Sequence, residues 1–455
     1  MTTDETIEAG ARTVVSVAEQ FRELKVLAER LLQSETARRR GFFTPSEDQQ
    51  VRQLLVFYWK SRCALTDVVA SFHQRLQSCG DERYGVFLVG FAGALVLVDA
   101  ARYLREHFHD QPIIRQKLNE PEPNFGIPGD VYDMVQESLT RPLHIWHLYH
   151  AATFFEEHHA ELVNAVATDQ TLQPVLAIID EHAARLRIQK RDYLVARLRV
   201  RTRQLVTNVQ RDLLMRAIYG LQKLAGSLAA HVSVVPTHRP HLPPEIIAQL
   251  RAYLAPGDVL VTRKEYAITN YFLPGHWPHA ALFLGDTAEL ERRGLAASEN
   301  FRARWPRLCA CDQQEPKRVL EAMKDGVLIR SLRSPCSTDS VVVLRPRLTS
   351  DQVNEALARG MFHEGKSYDF GFDFTRSDRL VCTEVVYRAY EGIGGVGFRL
   401  STKAGRLVLS GDDLVKQALR EEHFDVAGVY LKPAADKLLT EDAARKVVER
   451  VAAGV

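Results

Sequence analysis

The chain has 455 residues and a mass of 51.4 kDa, enough for two or three domains that each bury a core. Fifty-nine Lys and Arg against 57 Asp and Glu leave a net charge of +2, which gives no global case for nucleic-acid binding. With 46% apolar and 25% charged residues, the composition is globular and excludes a wholly disordered chain or a collagen. The six cysteines, Cys63, Cys79, Cys309, Cys311, Cys336 and Cys382, form no C-x-x-C pair and are too sparse for a disulfide framework.

The N-terminus, MTTDETIEAGARTVV, is acidic and has no basic stretch followed by an apolar core, so no secretory signal is expected. Residues 1–232 read as a helical domain, with apolar residues at three- and four-residue spacing. Helix starts are expected at Thr44–Ser46 and at Asp130. Val86–Val98 (VFLVGFAGALVLV) is an apolar run of 13 residues with two glycines, short of the ~20 of a spanning helix. It reads as a buried core helix, with an interfacial membrane segment as the minor alternative. The expectation is a cytoplasmic protein, peripheral at a membrane at most. Asp110–Gly129 holds four prolines and is expected to be a loop.

His144, His147 and His150 recur every three residues, followed by Glu156 and His159. A carboxylate-bridged metal site in a bundle needs Glu-x-x-His on two helices. Only the Glu156–His159 pair is present, so a polar face is the preferred reading. The run 185–203 carries Arg185, Arg187, Lys190, Arg191, Arg197, Arg199, Arg201 and Arg203 against Asp192, eight minus one or +7. Such a run is most often a solvated face. Its functional reading is an anionic membrane surface or a partner. Nucleic acid is not expected, because no aromatic interleaving accompanies the charge.

SVVPTHRPHLPPE (233–245) holds four prolines and reads as an extended linker. Beyond it the periodicity changes. VLVTR (259–263), HAALFLG (279–285), GVLIRSL (326–332) and SVVVLRP (340–346) have the composition of strands. Helical patterns return at 349–361 and 382–391. Residues 246–432 are therefore expected to form an α+β domain, with 433–455 as a helical tail of alternating charge. The polar stretch 286–316 is too long for a hairpin loop and reads as an insertion, a candidate lid.

The chemistry concentrates in this second half. In RLVCTEVVYRAYEGIG (379–394), Val385, Val386, Ala389 and Ile393 have helical spacing, which puts Cys382 at or near a helix N-terminus. There the dipole and free backbone N–H groups favour a thiolate, although a cysteine taken at random is more often buried and inert. A base is offered by His279, at the start of the strand in PGHWPHAALFLG, with His276 as a competitor. Glu321, in RVLEAMKDGVLIRSL, can orient that imidazole if RVLEA pairs with the histidine strand. Glu384, in the first turn of the cysteine helix, reads as a partner for the helix dipole.

Taken in order, GDVLVTR, PHAALFLG, VLEAMKDGV, SYDFGFDF and LVCTEVV resemble the circularly permuted papain-like cysteine hydrolases, the YiiX/YebB-like branch of the NlpC-type amidases. In that group the cysteine helix follows the histidine strand instead of preceding it. The resemblance covers about residues 250–432, some 40% of the chain. It implies a multidomain protein, α followed by α+β, whose second domain is a permuted papain-like (NlpC-type) fold. Carried over, Cys382 matches the nucleophile, His279 the base and Glu321 the third, polar position. The roughly 30 residues between the two strands depart from the compact family pattern and make Glu289 and Glu291 rivals to Glu321. Tyr368 and Asp369, with His276 and Trp277, are candidate lining of the substrate cleft.

The implied activity is a cysteine hydrolase or acyltransferase working through a thioester on an amide or ester, either a peptide-type amide or a lipid acyl group. The other reading is a non-catalytic scaffold whose helical domain contacts a partner or an anionic membrane. No cofactor or metal is called for. The His276-x-x-His279 pair lacks further ligands nearby, and Cys309-Ala-Cys311 reads as two ordinary thiols.

Overall fold

The computed structural model describes residues 3–33, 40–71, 83–122, 125, 127–140, 142–183, 240–264, 276–372, 374–403, 406–432 and 437–452. The basic run Arg185–Arg203, Cys79, most of the proline-rich stretch, and the side chains of His144 and His147 lie outside the described residues. The chain divides into two compact units, residues 1–123 with 127–232, and residues 233–455 with 124–126.

The first unit is helical: α1 (Thr3–Gln33), α2 (Pro45–Ser71), α3 (Arg83–Phe108), α4 (Pro112–Leu118), α5 (Val131–Thr140), α6 (Pro142–Glu157), α7 (His159–Ala165) and α8 (Gln173–Ala183). On α1, Ile7, Ala11, Val14, Ala18, Phe21, Leu24 and Ala28 are buried, the three- and four-residue stripe of a core-facing helix. Ahead of α2, Glu47 Oε2 accepts the Thr44 N–H at 2.8 Å while Thr44 Oγ1 accepts the Glu47 N–H at 3.4 Å. This reciprocal cap frees Pro45 to occupy the first turn.

The apolar run 86–98 lies within α3. The stretch Tyr84–Phe108 is long and apolar enough to cross a membrane, but 83% of its apolar window is buried within the protein, against α1, α2, α5 and α8. The proline-rich stretch after α3 is not all loop, since α4 forms inside it with Pro112 in the first turn, where the missing N–H has no helical partner to lose. Glu156 and His159 are both exposed, and His159 Nε2 lies 3.4 Å from Asp180 Oδ1.

The second unit opens with α9 (Pro244–Tyr253), β1 (Val259–Arg263) and β2 (His279–Gly285). The chain between β2 and β3 (Arg318–Met323) folds into α10 (Thr287–Arg292), a 3-10 turn (Leu295–Ala297), α11 (Glu299–Arg302) and α12 (Trp305–Ala310). There follow β4 (Gly326–Ser331), α13 (Arg333–Cys336), β5 (Ser340–Pro346), α14 (Ser350–Met361), β6 (Ser367–Tyr368), β7 (Arg379–Leu380) and α15 (Cys382–Tyr390). The chain closes with β8 (Ser401–Lys403), β9 (Arg406–Val408), α16 (Gly411–Leu419), β10 (Phe424–Leu431), β11 (Leu439–Thr440) and α17 (Glu441–Ala452).

Seven strands form one sheet in the order β11-β10-β5-β1-β2-β3-β4, antiparallel throughout. One face packs on α9, where Leu242, Ile246 and Leu250 meet Leu260, Phe283, Val319 and Val343. The other face meets α15, and Gly360 of α14 lies against Leu282 and Leu320. Burial on both faces is why VLVTR, HAALFLG and SVVVLRP read as nearly continuous apolar runs instead of alternating ones. The expected strands at 259–263, 279–285 and 340–346 match β1, β2 and β5 end to end.

Two segments differ from the reading above. Residues 286–316 are not a clear-standing polar insertion. Leu290, Leu295, Phe301 and Leu308 are buried, Asn300 Nδ2 donates to the Ala358 carbonyl at 2.9 Å, and Arg307 pairs with Glu364 at 2.7 Å. The charged residues that dominate the composition mask four apolar anchors. The C-terminal segment is likewise built into the fold: β11 adds an edge strand to β10, and α17 buries Ala444, Val447 and Val448.

Asp258, buried at the head of β1, accepts Arg345 of β5 at 2.8 and 2.6 Å, and the same guanidinium donates to the Tyr253 carbonyl at the end of α9. Asp258→Ala leaves a cation without its partner at this three-way junction. The expected loss is about 2–3 kcal/mol, read as a lower urea midpoint with unchanged slope for the second unit's transition.

Candidate active site

Three elements converge on one point. β2 starts at His279, β3 carries Glu321, and α15 starts at Cys382. In the β2–β3 register Leu282 faces Leu320, so continuing the ladder sets Glu321 opposite Ala281 and one diagonal step from His279 on the same face. The side chains meet: His279 Nε2 lies 2.8 Å from Glu321 Oε2. Nδ1 is thereby left for the sulfur. The imidazole of His279 and the backbone N–H groups of Ala280 and Thr383 lie near enough to the Cys382 sulfur to lower its pKa, and its Sγ lies 3.9 Å from the Pro278 carbonyl oxygen.

The electrostatics follow from this geometry. Burial alone would raise the Cys382 thiol, but the hydrogen bond and charge of His279, with the two N–H groups, bring it below its ordinary value. Burial alone would lower the His279 imidazole, yet the sulfur and then Glu321 raise it to about 9. Glu321, wholly buried, is pushed up by desolvation and held at about 2 by His279, then Arg330 and Ser334. The arrangement therefore shifts the pair towards a thiolate beside an imidazolium, backed by a carboxylate.

The other candidates separate cleanly. Tyr368 is buried, and its phenol is raised well above the ordinary value by burial and then by the nearby Cys382. It stays protonated beside the sulfur. Asp369, also buried, accepts the Gly371 N–H at 2.8 Å and serves the turn that follows β6. His276 stays outside the triad, and its Nε2 is buried with no hydrogen-bond partner. Trp277 is buried and stacks edge-on against His276 at 4.8 Å. Glu289 follows the far end of β2, six residues from His279 or about 20 Å at strand rise, and pairs with Lys317 at 3.4 Å. Glu291 follows on the same helix, α10.

The reading of Glu384 as a dipole partner is corrected. It is completely buried and pairs with Arg388 at 2.8 Å. Desolvation raises it to about 8 despite that pairing, and Asp369 adds to the rise. At neutral pH it is mainly protonated and offers the dipole no full charge.

The groups that hold His279 and Glu321 in place are not announced by any local pattern. Ser334, on α13, donates to Glu321 Oε1. Arg330 Nε lies 3.4 Å from that oxygen and pairs with Asp325 at 2.6 Å. Asp412, on α16, accepts the N–H groups of His276 and Trp277 at 3.0 and 2.8 Å. Its neighbour Gly411 comes so close that a Cβ there would lie 2.3 Å from the Trp277 carbonyl oxygen. Arg263 Nη1 donates to the His276 carbonyl at 2.9 Å. The loop feeding His279 is thus clamped from two sides. S-G-D-D at 410–413 announces a helix cap and nothing more, because the contact spans 135 and 136 residues.

Among the described residues no group of His, Cys, Asp and Glu is arranged to hold a metal ion. The arrangement suits acyl transfer to sulfur: a polarised thiol, an oriented base and a helix N-terminus meet in one buried place. Residues 253–442 match the family model described as permuted papain-like amidase enzyme, YaeF/YiiX, C92 family. No curated protein and no solved structure matches the chain.

Thiol reactivity tests this electrostatic picture. Burial pushes Cys63 and Cys336 up to about 12, so both should resist iodoacetamide at neutral pH. Cys382 should alkylate faster than either, with an onset at lower pH than an ordinary thiol, since its pKa is lowered and its imidazolium partner persists to about 9. Glu321→Gln removes the anion that helps hold the imidazolium, so the onset of alkylation should move to higher pH. A Cys382 rate that rises only near pH 9, as for an unperturbed thiol, would contradict the ion pair.

Proposed function

We propose, from the match of residues 253–442 to the permuted papain-like amidase model of the C92 family, that the protein is a cysteine-dependent amidase or acyl hydrolase in which Cys382, His279 and Glu321 form the working triad. The observation that carries this reading is the 2.8 Å contact between His279 and the fully buried Glu321, which leaves the other imidazole nitrogen for the thiol at a helix N-terminus.

The steps follow from the geometry. The Cys382 thiolate attacks the carbonyl carbon of an amide or ester, and the carbonyl electron pair moves to oxygen. The Cys382 backbone N–H is one donor for that oxyanion, and the protonated phenol of Tyr368 beside the sulfur is the second. The His279 imidazolium passes its proton to the leaving nitrogen or oxygen as the carbon–leaving-group bond breaks, leaving a thioester. Water then attacks that thioester with neutral imidazole as base, and collapse releases the acid and restores the thiol. Another nucleophile in place of water makes the same site an acyltransferase. Glu321 fixes which nitrogen faces the sulfur and stabilises the imidazolium. Peptide-type amides and lipid acyl groups are the two substrate classes this chemistry serves.

Intact mass spectrometry with a panel of acyl esters, acyl thioesters and peptide amides tests the proposal. The wild type should gain the mass of an acyl group and Cys382→Ala should not. Turnover should vanish in Cys382→Ala and fall about 10²- to 10⁴-fold in His279→Ala. If no probe labels or is turned over and Cys382 is also inert to iodoacetamide, the catalytic reading fails and the scaffold reading gains.

Asp412 supplies a separate check on positioning. Asp412→Ala should lower kcat by about 10²-fold, the scale of a 1 Å displacement of a reacting group, with KM little changed. Asp412→Asn, which keeps one acceptor oxygen, should fall between the two. Equal kcat in all three would show that the clamp has no bearing on His279.

A further inference from the structure

We propose that the helical unit binds a neutral, long-chain apolar molecule in a pocket ringed by α1 to α5. The pocket is an open cleft, and the space among its lining side chains comes to about 750 Å³ with the adjoining solvent counted. Leu24, Leu55, Ala100 and Leu118 represent its aliphatic wall, and the few polar side chains in the lining are Lys25, Tyr58, Tyr103 and Tyr132.

The class of ligand follows from how those polar groups are already engaged. Lys25 pairs with Asp99 and lies 5.4 Å over the Tyr103 ring. Burial works against an ionised Asp99, but His182 and Lys25 keep its pKa well below the usual carboxylate range, so the lysine charge is answered within the unit. Tyr103 donates to the Lys25 carbonyl at 3.1 Å, and the Tyr132 hydroxyl lies 3.4 Å from His109 Nδ1. Tyr58 differs. Burial raises its phenol and Arg62 tempers the rise through its charge and a loose hydrogen bond, and the buried hydroxyl makes no hydrogen bond of ordinary length and angle.

A carboxylate or ammonium entering this pocket would lose its hydration and find no unpaired counter-charge. Water would find few partners. A hydrocarbon chain gains by burial, and an alcohol or ester oxygen at its end matches the Tyr58 phenol, whose hydroxyl makes no hydrogen bond of ordinary length and angle. The site is independent of the proposed catalytic triad, so either reading can fail alone.

The test uses the full chain and N-phenyl-1-naphthylamine, a neutral fluorescent probe, displaced by dodecanol, dodecanoate or dodecylamine. One saturable site is expected, with dodecanol displacing the probe at least tenfold more effectively than either charged chain. Ala100→Phe and Leu104→Trp fill the pocket from its wall. Each variant that keeps the wild-type helical circular dichroism and melting temperature should bind the probe at least tenfold more weakly. Replacing the exposed Val26 and Leu27 by serine should leave binding unchanged. Non-saturable binding, equal displacement by charged chains, loss of binding in the Val26/Leu27 variant, or full binding by a folded pocket-filling variant would each overturn the proposal.

Discussion

The hydrogen bond between His279 and Glu321 is the constraint around which the second unit is organised. A carboxylate with no exposed surface is expensive to ionise, and Glu321 stays ionised because an imidazole at 2.8 Å, a serine hydroxyl and a guanidinium all answer it. The same bond spends Nε2 and leaves Nδ1 as the only nitrogen able to serve the sulfur. Orientation and charge are therefore fixed by a single contact. Neither would survive if the two strands slipped by one residue, since a slip would send Glu321 to the opposite face of the sheet.

The topology explains how the 102 intervening positions between His279 and Cys382 collapse into one site. Base and carboxylate come from neighbouring strands β2 and β3, so their relation is set by ladder hydrogen bonds. The sulfur comes from a helix laid on the other side of the same strands, held at its far end by Tyr390, which donates to the Gly257 carbonyl beside β1. Such a site needs only that the elements be present and adjacent. Whether the cysteine helix precedes or follows the strands changes the loops and leaves the chemistry in place, which is what makes a permuted chain order physically acceptable. The cost appears in the loops, and here Asp412 and Gly411 clamp the one that enters β2.

Much of this architecture is legible in the sequence for definite reasons. Apolar, largely β-branched runs bounded by Pro-Gly-Asp mark β1, and equally dense runs mark β2 and β5, because burial on both faces leaves no polar interruption. Cys382, His279 and Glu321 stand out as candidates because each occupies the start or interior of a recognisable element. What escapes the sequence depends on contacts at long range. Nothing local distinguishes Asp412 from any acid in a first helical turn. Glu384 looks like a routine helix-start acid until the loop ending β6 and the guanidinium of Arg388 enclose it. The four buried anchors in 286–316 are outnumbered by charged neighbours, so composition alone reads as surface. The pocket among α1 to α5 is a property of how helices meet, which no periodicity records.

Cys382 and Glu384 offer a comparison that decides what activates the thiol. Both sit in the first turn of α15, both are buried, and both feel the same helix dipole. Yet Cys382 moves towards its charged form while Glu384, raised to about 8, moves away from its own. The dipole, worth at most ~2 kcal/mol in partly buried sites, cannot produce opposite outcomes in one turn. The difference lies in the partners. Cys382 faces an imidazolium stabilised from behind by Glu321 and two backbone N–H donors. Glu384 shares its single guanidinium with the carbonyls of Phe374 and Arg376 and is opposed by Asp369. The helix delivers the sulfur to its position, and the strands β2 and β3 supply the charge that lowers its pKa.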